Sequence, residues 1–205
     1  PIIGAKISVA LDTGHYEVIL LCQNHEGYLN LSELISKAYL GNQGISVVTV
    51  TEEQLANHHK GLIMIASAVS SDISKLLIAN EFKLASNKAK RWVSLFNNRY
   101  YLAVQRTGRP LDESLLNNSI ELGLSLDIPI LATNDVQFLQ KKDYDAHEAR
   151  TCIFEGGHID DTRRLKKFSE EQYLKTPNEM VDLFFDFPNI LENTVELSKR
   201  CNLHF

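Results

Sequence analysis

The sequence predicts an α/β fold whose sheet is at least partly parallel. Short apolar runs at residues 61–67, 100–105 and 128–133 have the length and the Gly, Ser, Pro or Asn boundaries of buried strands. Stretches with the apolar spacing of helices separate these runs. Strands that alternate with helices are typical of βαβ units, in which the strands lie parallel. The 205 residues, of which 44% are hydrophobic, suffice for one domain with its own core.

The composition excludes several classes of protein. A net charge of −5 argues against a domain whose main task is to bind the phosphates of nucleic acids. No apolar run reaches the roughly 20 residues of a membrane-spanning helix, and the first residues lack the features of a signal peptide. The three cysteines lie far apart without the spacing of metal ligands, which is typical of a reducing compartment. We therefore expect a cytoplasmic protein without membrane contact.

The first elements are predicted to be a β-hairpin and two helices. Apolar runs at residues 2–11 and 16–23 flank a turn that contains Gly14, and glycine tolerates the positive φ of a tight turn. A capping-box pattern predicts a helix over residues 30–40. A second such pattern, at residues 51–54, predicts the start of a short helix.

The remaining elements are predicted to be helices apart from the strands already described. The clearest amphipathic helix spans residues 82–96, and another over residues 115–124 leads into the last strand. Capping boxes at residues 169–172 and 176–179 predict two further helices. Apolar spacing predicts a final helix near residues 190–198. The apolar face of the clearest helix comprises Phe82, Ala85, Ala89, Trp92, Val93 and Phe96.

Polar residues follow each of the three predicted parallel strands, at residues 67–72, 106–109 and 134–137. Because the carboxyl ends of parallel strands meet at one edge of a sheet, we expect these residues to share a rim. Loops are polar in most proteins, so the pattern alone leaves open whether the rim is a site. On residue type alone, Asp135, just beyond the last strand, fits an ordinary turn or helix cap better than a ligand-binding role.

Six short motifs are spread over nearly the whole chain. They begin at Pro1 (PIIG), Glu26 (EGYLNL), Leu34 (LISKAY), Arg106 (RTGRP), Ala132 (ATNDV) and Asn193 (NTVELSKRC). In this order and at this spacing they closely resemble the PHP domain of the bacterial DNA polymerase III α subunit, and most of all the α subunits of Gram-negative bacteria.

The resemblance implies a partial, distorted β/α barrel that lacks its first strands, followed by a helical C-terminal segment. Residues 1–160 would form the barrel portion, and residues 161–205 would lead towards the palm of a longer parent protein. That parent would be a DNA-directed DNA polymerase, a nucleotidyltransferase of DNA replication that uses Mg²⁺. The 205 residues themselves would contain no catalytic residue and would need no cofactor. Its partners would be the proofreading exonuclease subunit, other holoenzyme subunits and, through the parent chain, DNA.

Metal-binding relatives hold metal ions at this rim, but the matching positions here depart from the pattern. Lys6 stands where an acidic ligand is expected, Thr107 stands where the relatives have His, and Gln137 replaces the His of an Asp-x-His signature. Only Asp72 and Asp135 keep the acidic character. Two carboxylates are fewer than the roughly three or four ligands of a stable site, so we expect a degenerate metal site.

The resemblance and the altered ligand positions support two hypotheses about function. The first is a structural domain that docks the exonuclease subunit, in which Asp72 and Asp135 take Lys6 or Arg106 as counter-ions. The alternative is a metal-dependent phosphoesterase, either a 3′–5′ exonuclease or a pyrophosphatase, that relies on the same two aspartates. Direct contact with nucleic acid is a third possibility. It would involve either the lysines of the helix at residues 82–96 or the one basic run of the chain, although such a short run is more often a solvated loop. The basic run comprises Arg163, Arg164, Lys166 and Lys167.

Overall fold

A computed structural model of the chain describes residues 1–12, 14–41, 47–159, 161, 163 and 165–204. Its centre is one sheet with the strands in chain order: β1 (Gly4–Ala10), β2 (His15–Cys22), β3 (Leu62–Ala66), β4 (Tyr100–Gln105) and β5 (Ile130–Thr133). Strand β2 pairs antiparallel with β1 and with β3, whereas β3, β4 and β5 run parallel. The predicted hairpin and the predicted parallel strands are thus confirmed.

Helices cover both faces of this sheet. In the described part of the chain they are α1 (His25–Gly41), α2 (Glu52–Asn57), α3 (Asp72–Ile78), α4 (Phe82–Phe96), α5 (Asp112–Leu126), α6 (Tyr144–Phe154), α7 (Pro177–Leu183) and α8 (Pro188–Lys199). The fold is therefore a mixed α/β architecture that is consistent with a partial β/α barrel. Among the described residues, no helix combines the length and apolar character needed to cross a membrane.

Strands β3 and β4 are buried at every position, because apolar layers cover them from both sides. On the first face, side chains of α1 to α5, including Trp92 and Phe96, pack against Val18, Leu20 and Met64. Strands that are buried on both faces consist of nearly continuous runs of apolar residues. The sequence therefore predicts these two strands.

The second face of the sheet is covered by the C-terminal segment. Leu197 of α8 and Cys201 pack against Ile63, Tyr101 and Leu131 of the three parallel strands. The same helix also covers the outer edge of β5. The Asn193 side-chain amide donates to the Ile130 carbonyl at 3.0 Å, so backbone groups of this edge strand find a partner.

Three predicted helix starts have different outcomes. The capping boxes at Thr51 and Thr176 are confirmed, because both reciprocal hydrogen bonds form in α2 and α7. The predicted start of α1 at residue 30 is wrong. The helix begins at His25, where the Asn24 side chain accepts a hydrogen bond from the Gly27 N–H at 3.0 Å and so satisfies one of the free donors of the first turn.

The helix predicted from the pattern at residues 169–172 does not form. One bond of the box is present, since the Ser169 N–H donates to Gln172 Oε1 at 3.0 Å. The chain then extends, and Tyr173 forms a parallel bridge with Phe138. The tertiary contacts of Gln172, described below, override the local helix signal. Helix α3 was not predicted; it begins beyond Ser71, whose hydroxyl accepts from the N–H three residues later.

Candidate functional site

An open pocket, here named the rim pocket, lies on the second face of the sheet, beyond the carboxyl ends of the parallel strands. Its lining comes from every predicted rim loop and from the hairpin: Lys6, Glu17, Ile19, Ser67, Ala68, Val69, Ser70, Ala103, Gln105, Arg109, Thr133, Asp135, Gln137, Lys167 and Phe168. The structure therefore brings Lys6, Asp135 and Gln137 together. It does not bring Asp72 into this pocket.

The hairpin supplies a charged pair to the rim pocket. Lys6 Nζ lies 3.3 Å from Glu17 Oε2, and the Ser70 hydroxyl donates to the same oxygen at 2.6 Å. Burial pushes the pKa of Glu17 upwards, but the Ser70 hydrogen bond and the Lys6 ammonium outweigh it, so that the pKa is lowered. Lys6 is thus held by a carboxylate at the pocket, and its positive charge repels a metal cation.

Asp135 is the second carboxylate of the rim pocket, and side-chain amide groups donate to both of its oxygens. Gln137 Nε2 donates to Oδ1 at 3.2 Å, and Gln172 Nε2 donates to Oδ2 at 3.0 Å and to the Asp135 carbonyl at 3.1 Å. Arg109 Nη2 lies 4.0 Å from Oδ2. Asp135 also has a φ of +44°, a conformation that aspartate tolerates better than most residues. We name these four residues the rim clasp.

Thr107 is fully buried and belongs to the loop that precedes α5. Its N–H and its hydroxyl donate to Asp112 Oδ2 at 2.6 and 2.9 Å, and its hydroxyl accepts from Arg109 Nε at 3.0 Å. Thr107 thereby supports the arginine of the rim clasp. Asp112, which the sequence analysis missed, is the buried acceptor that organises this loop.

Asp72 lies in the interior on the first face of the sheet. The Trp92 indole N–H donates to Asp72 Oδ2 at 2.7 Å, and the Ile73 N–H donates to Oδ1 at 2.9 Å. Burial raises the pKa of Asp72, and it outweighs the opposing effects of the Trp92 hydrogen bond and of Lys88. Asp72 and Asp135 therefore occupy separate environments and do not form one ligand set.

The predicted counter-ions of the two aspartates are wrong. Arg106 binds Asp186 at 2.6 Å and Glu113 at 2.8 Å. The Asp186 hydrogen bond is the main reason that the pKa of Arg106 is raised. Lys6 pairs with Glu17 instead. The correction has a geometric cause: Arg106 leaves the rim and reaches towards the segment that precedes α8, where the guanidinium also lies over the Phe187 ring at 5.7 Å.

The residues present do not fit the metal cluster that the fold implies. In the described ranges, no group of three or more His, Cys, Asp and Glu side chains is arranged to hold a metal ion. Asp135 is held by amide donors, and Lys6 brings an ammonium to the same pocket. No hydrolytic step through a metal follows from such a donor set.

The basic run has partners within the chain at each position that the structure describes. Arg163 pairs with Asp161 at 2.9 Å, and Lys167 pairs with Glu155 at 2.6 Å. The Lys166 ammonium lies over the Tyr144 ring, 5.7 Å from its centroid. Arg164, the remaining residue of the predicted nucleic-acid contact, lies outside the described residues. The contact stays a prediction.

Two residues of the pocket environment were missed by sequence reasoning. The sequence predicts a helix for the segment that contains Gln172. No local pattern connects this residue with Asp135, which lies 37 residues away in the chain. Glu17 could have been found, because Lys6 pairs with Ile19 in the β1–β2 register and Glu17 lies two residues from Ile19 on the same sheet face.

Comparisons with known proteins agree with this architecture. Residues 1–107 match the model of the PHP domain family. The chain is 43% identical over 186 residues to the DNA polymerase III subunit alpha of Pseudomonas fluorescens. The aligned region comprises 91% of the chain and 16% of that protein. It is 40% identical to the same subunit of Pseudomonas aeruginosa and 37% identical to that of Escherichia coli, each over 99% of the chain and 18% of the relative. The chain thus spans less than a fifth of the length of these curated relatives.

Proposed function

The chain belongs to the PHP domain family, and we propose that it is part of the α subunit of a DNA polymerase III that replicates the chromosome. The relatives at 37% to 43% identity that carry this name support the proposal. The whole protein would then be a DNA-directed DNA polymerase, a nucleotidyltransferase that acts on DNA. The Mg²⁺ ions of nucleotidyl transfer would bind to parts of the protein beyond these residues.

Within that polymerase, the chain would act as a structural and docking domain with a degenerate metal site. The observation that carries this proposal is the rim clasp, because protein amides and an arginine already engage the carboxylate of Asp135. Thr107, Gln137 and Lys6 occupy the other ligand positions without supplying a ligand set. We also propose that residues 1–160 form the barrel portion and residues 161–205 the segment that leads towards the palm.

The docked partner would be the proofreading exonuclease subunit. An inactive barrel can keep its place in a replicative polymerase if its surface holds a second enzyme near the growing strand. The resemblance of the chain to PHP domains of polymerase α subunits supports this role, and the name of the relatives marks them as members of a multi-subunit enzyme.

A binding measurement and an activity measurement together test the proposal. The purified chain and the purified exonuclease subunit should form a stable complex in size-exclusion chromatography. The chain alone should release no nucleotide from single-stranded DNA in Mn²⁺ or Zn²⁺, and no phosphate from pyrophosphate. The absence of a complex would refute the docking role. Hydrolysis that is lost in the Asp135→Asn variant would replace the structural role with that of a phosphoesterase.

A further inference from the structure

An apolar groove, here named the α5–α8 groove, lies beside the edge strand β5. Its lining includes Ile120 and Leu124 of α5, Pro129, and Phe187, Ile190 and Asn193 around the start of α8. A second depression shares Pro129 and Asn193 and extends the groove to Asp127, Glu196 and Arg200. Leu124 is 80% exposed, so the groove presents a large apolar side chain to solvent.

Acidic side chains outnumber basic ones around this groove. Both stretches that form it, residues 110–140 and 176–198, contain no Lys, Arg or His, although the whole chain has 21 Lys and Arg residues. Each stretch contains acidic residues: Asp112, Glu113, Glu121, Asp127 and Asp135 in the first, and Glu179, Asp182, Asp186, Glu192 and Glu196 in the second. Of these ten residues, Asp127, Asp186 and Glu196 line the groove, and this excess of acids creates a negative potential around it.

Few cations from the rest of the chain compensate this charge. Arg106 reaches Asp186 at 2.6 Å and Glu113 at 2.8 Å, one positive charge against two negative ones. Lys199 pairs with Glu196 at 2.5 Å, and Arg200, which lines the second depression, donates to the Asn98 carbonyl oxygen at 2.7 Å. Over the described ranges, no salt bridge is formed by Glu121, which precedes Leu124 by one helical turn, or by Asp127 and Glu192. The borders of the groove therefore keep a net negative charge.

We propose that the α5–α8 groove docks a basic peptide segment of a partner protein, with one apolar side chain of that segment seated against Leu124 and Ile190. The inference rests on the docking role proposed above and specifies the surface that performs it. An apolar anchor would supply affinity in the groove. Lysines or arginines on either side would meet the acidic borders, which favours rapid and selective association.

The same charge argues against other occupants. The phosphates of DNA or RNA would meet more carboxylates than cations. An anionic lipid surface would be repelled for the same reason. A peptide with apolar and basic residues satisfies the floor and the borders of the groove together.

A titration with a defined probe tests the proposal. The probe is a short fluorescein-labelled peptide in which lysines flank a central tryptophan, and fluorescence anisotropy reports its binding to the full chain. Leu124→Lys should weaken binding by about tenfold or more, because it removes the apolar contact and adds a repelling charge. Because Leu124 is exposed, the fold should remain intact, which circular dichroism can verify. Leu139→Lys, at another exposed leucine outside the groove, should leave the affinity within about twofold.

Three results would overturn the proposal. The first is equal binding of the peptide by the wild-type chain and by Leu124→Lys. The second is equal binding of a control peptide with glutamate in place of every lysine. The third is a dimer of the wild-type chain in sedimentation experiments that Leu124→Lys dissociates, since the groove would then receive a second copy of this chain.

The exonuclease subunit separates this proposal from the docking role. If the wild-type chain and Leu124→Lys bind that subunit equally well, the docking role stands and the assignment of the groove fails. If the subunit does not bind the wild-type chain, the docking role fails and the peptide titration alone decides about the groove. Loss of subunit binding in Leu124→Lys, but not in Leu139→Lys, supports both.

Discussion

Gln172 is the residue that connects the rim pocket to the rest of the chain. Its side-chain N–H group donates to the side chain and to the backbone of Asp135. Its side-chain carbonyl oxygen, Oε1, accepts from the Ser169 N–H at 3.0 Å. The side chain is fully buried. A buried amide that satisfies three polar groups fixes the loop after β5.

Replacement of Gln172 by alanine should therefore destabilise the protein. Gln172→Ala leaves Asp135 and Ser169 without these partners, and we expect a loss of about 1–3 kcal/mol in the free energy of unfolding. Gln137→Ala is the matched control, because Gln137 contacts the same carboxylate from a more exposed position. It should cost about 0.5 kcal/mol or less. Urea denaturation measures both, and equal losses would contradict the role assigned to Gln172.

Asp72 should make stability depend on pH. Burial raises its pKa in the folded protein above the ordinary value of 3.8, so the folded state binds the proton more tightly than the unfolded state. Its contribution to stability is fully present below pH 3.8 and is lost as the pH rises through the raised pKa. Compared with Asp72→Asn, the wild-type protein should lose stability as the pH rises above 3.8.

Urea denaturation of both proteins across this pH range measures the effect. Asp182→Asn is the control, since Asp182 is exposed and its substitution should give a difference from the wild type that changes little with pH. A constant difference between the wild type and Asp72→Asn would show that the carboxyl of Asp72 is not perturbed by burial. If the wild type instead gained stability relative to Asp72→Asn as the pH rises, folding would lower the pKa of Asp72 rather than raise it.

At the scale of the elements, the packing of α1 on the loop before β3 depends on two glycines. A Cβ atom on Gly27 would lie 1.9 Å from the Gly61 carbonyl oxygen. Alanine is normally the better helix former by about 1 kcal/mol. Here the backbone contact decides the outcome, because neither the helix nor the loop can accommodate the methyl group without moving.

Gly27→Ala should thus destabilise the protein by about 1–3 kcal/mol, the usual cost of overpacking. Gly41→Ala tests the same substitution at the other end of the same helix, where an added Cβ meets no atom within 4 Å. That variant should be neutral or slightly more stable. Thermal denaturation of both variants decides the matter, and a Gly27→Ala protein as stable as the wild type would show that α1 does not pack so closely.

Elements with strong local signals were predictable from the sequence, and those with distant partners were not. Helix α4 has the predicted bounds because its apolar residues recur on one face. The cap at Asn24 was missed because a second pattern six residues later competed with it. The predicted helix at residue 169 was wrong because Gln172 bonds to Asp135, a contact that no local pattern reveals.

At the scale of the whole molecule, the parallel-strand rule predicted the rim and the family resemblance predicted its loss of ligands. The rule succeeded for Asp135 and Gln137, which line one pocket with Lys6. It failed for Asp72, since the first turn of α3 points this side chain to Trp92 in the core. Partner choice among charges was equally unpredictable, because Arg106 and Asp186 are 80 residues apart.

We propose that the chain's own side chains replace a metal cluster at the rim. The most direct measurement is elemental analysis of the protein, purified without chelator, for Zn, Mn and Fe. We expect less than about a tenth of an equivalent of each metal per protein, and a melting temperature that does not change in EDTA. Near-stoichiometric metal, together with a melting temperature that falls in EDTA, would contradict it and would make a metal-dependent phosphoesterase the better assignment.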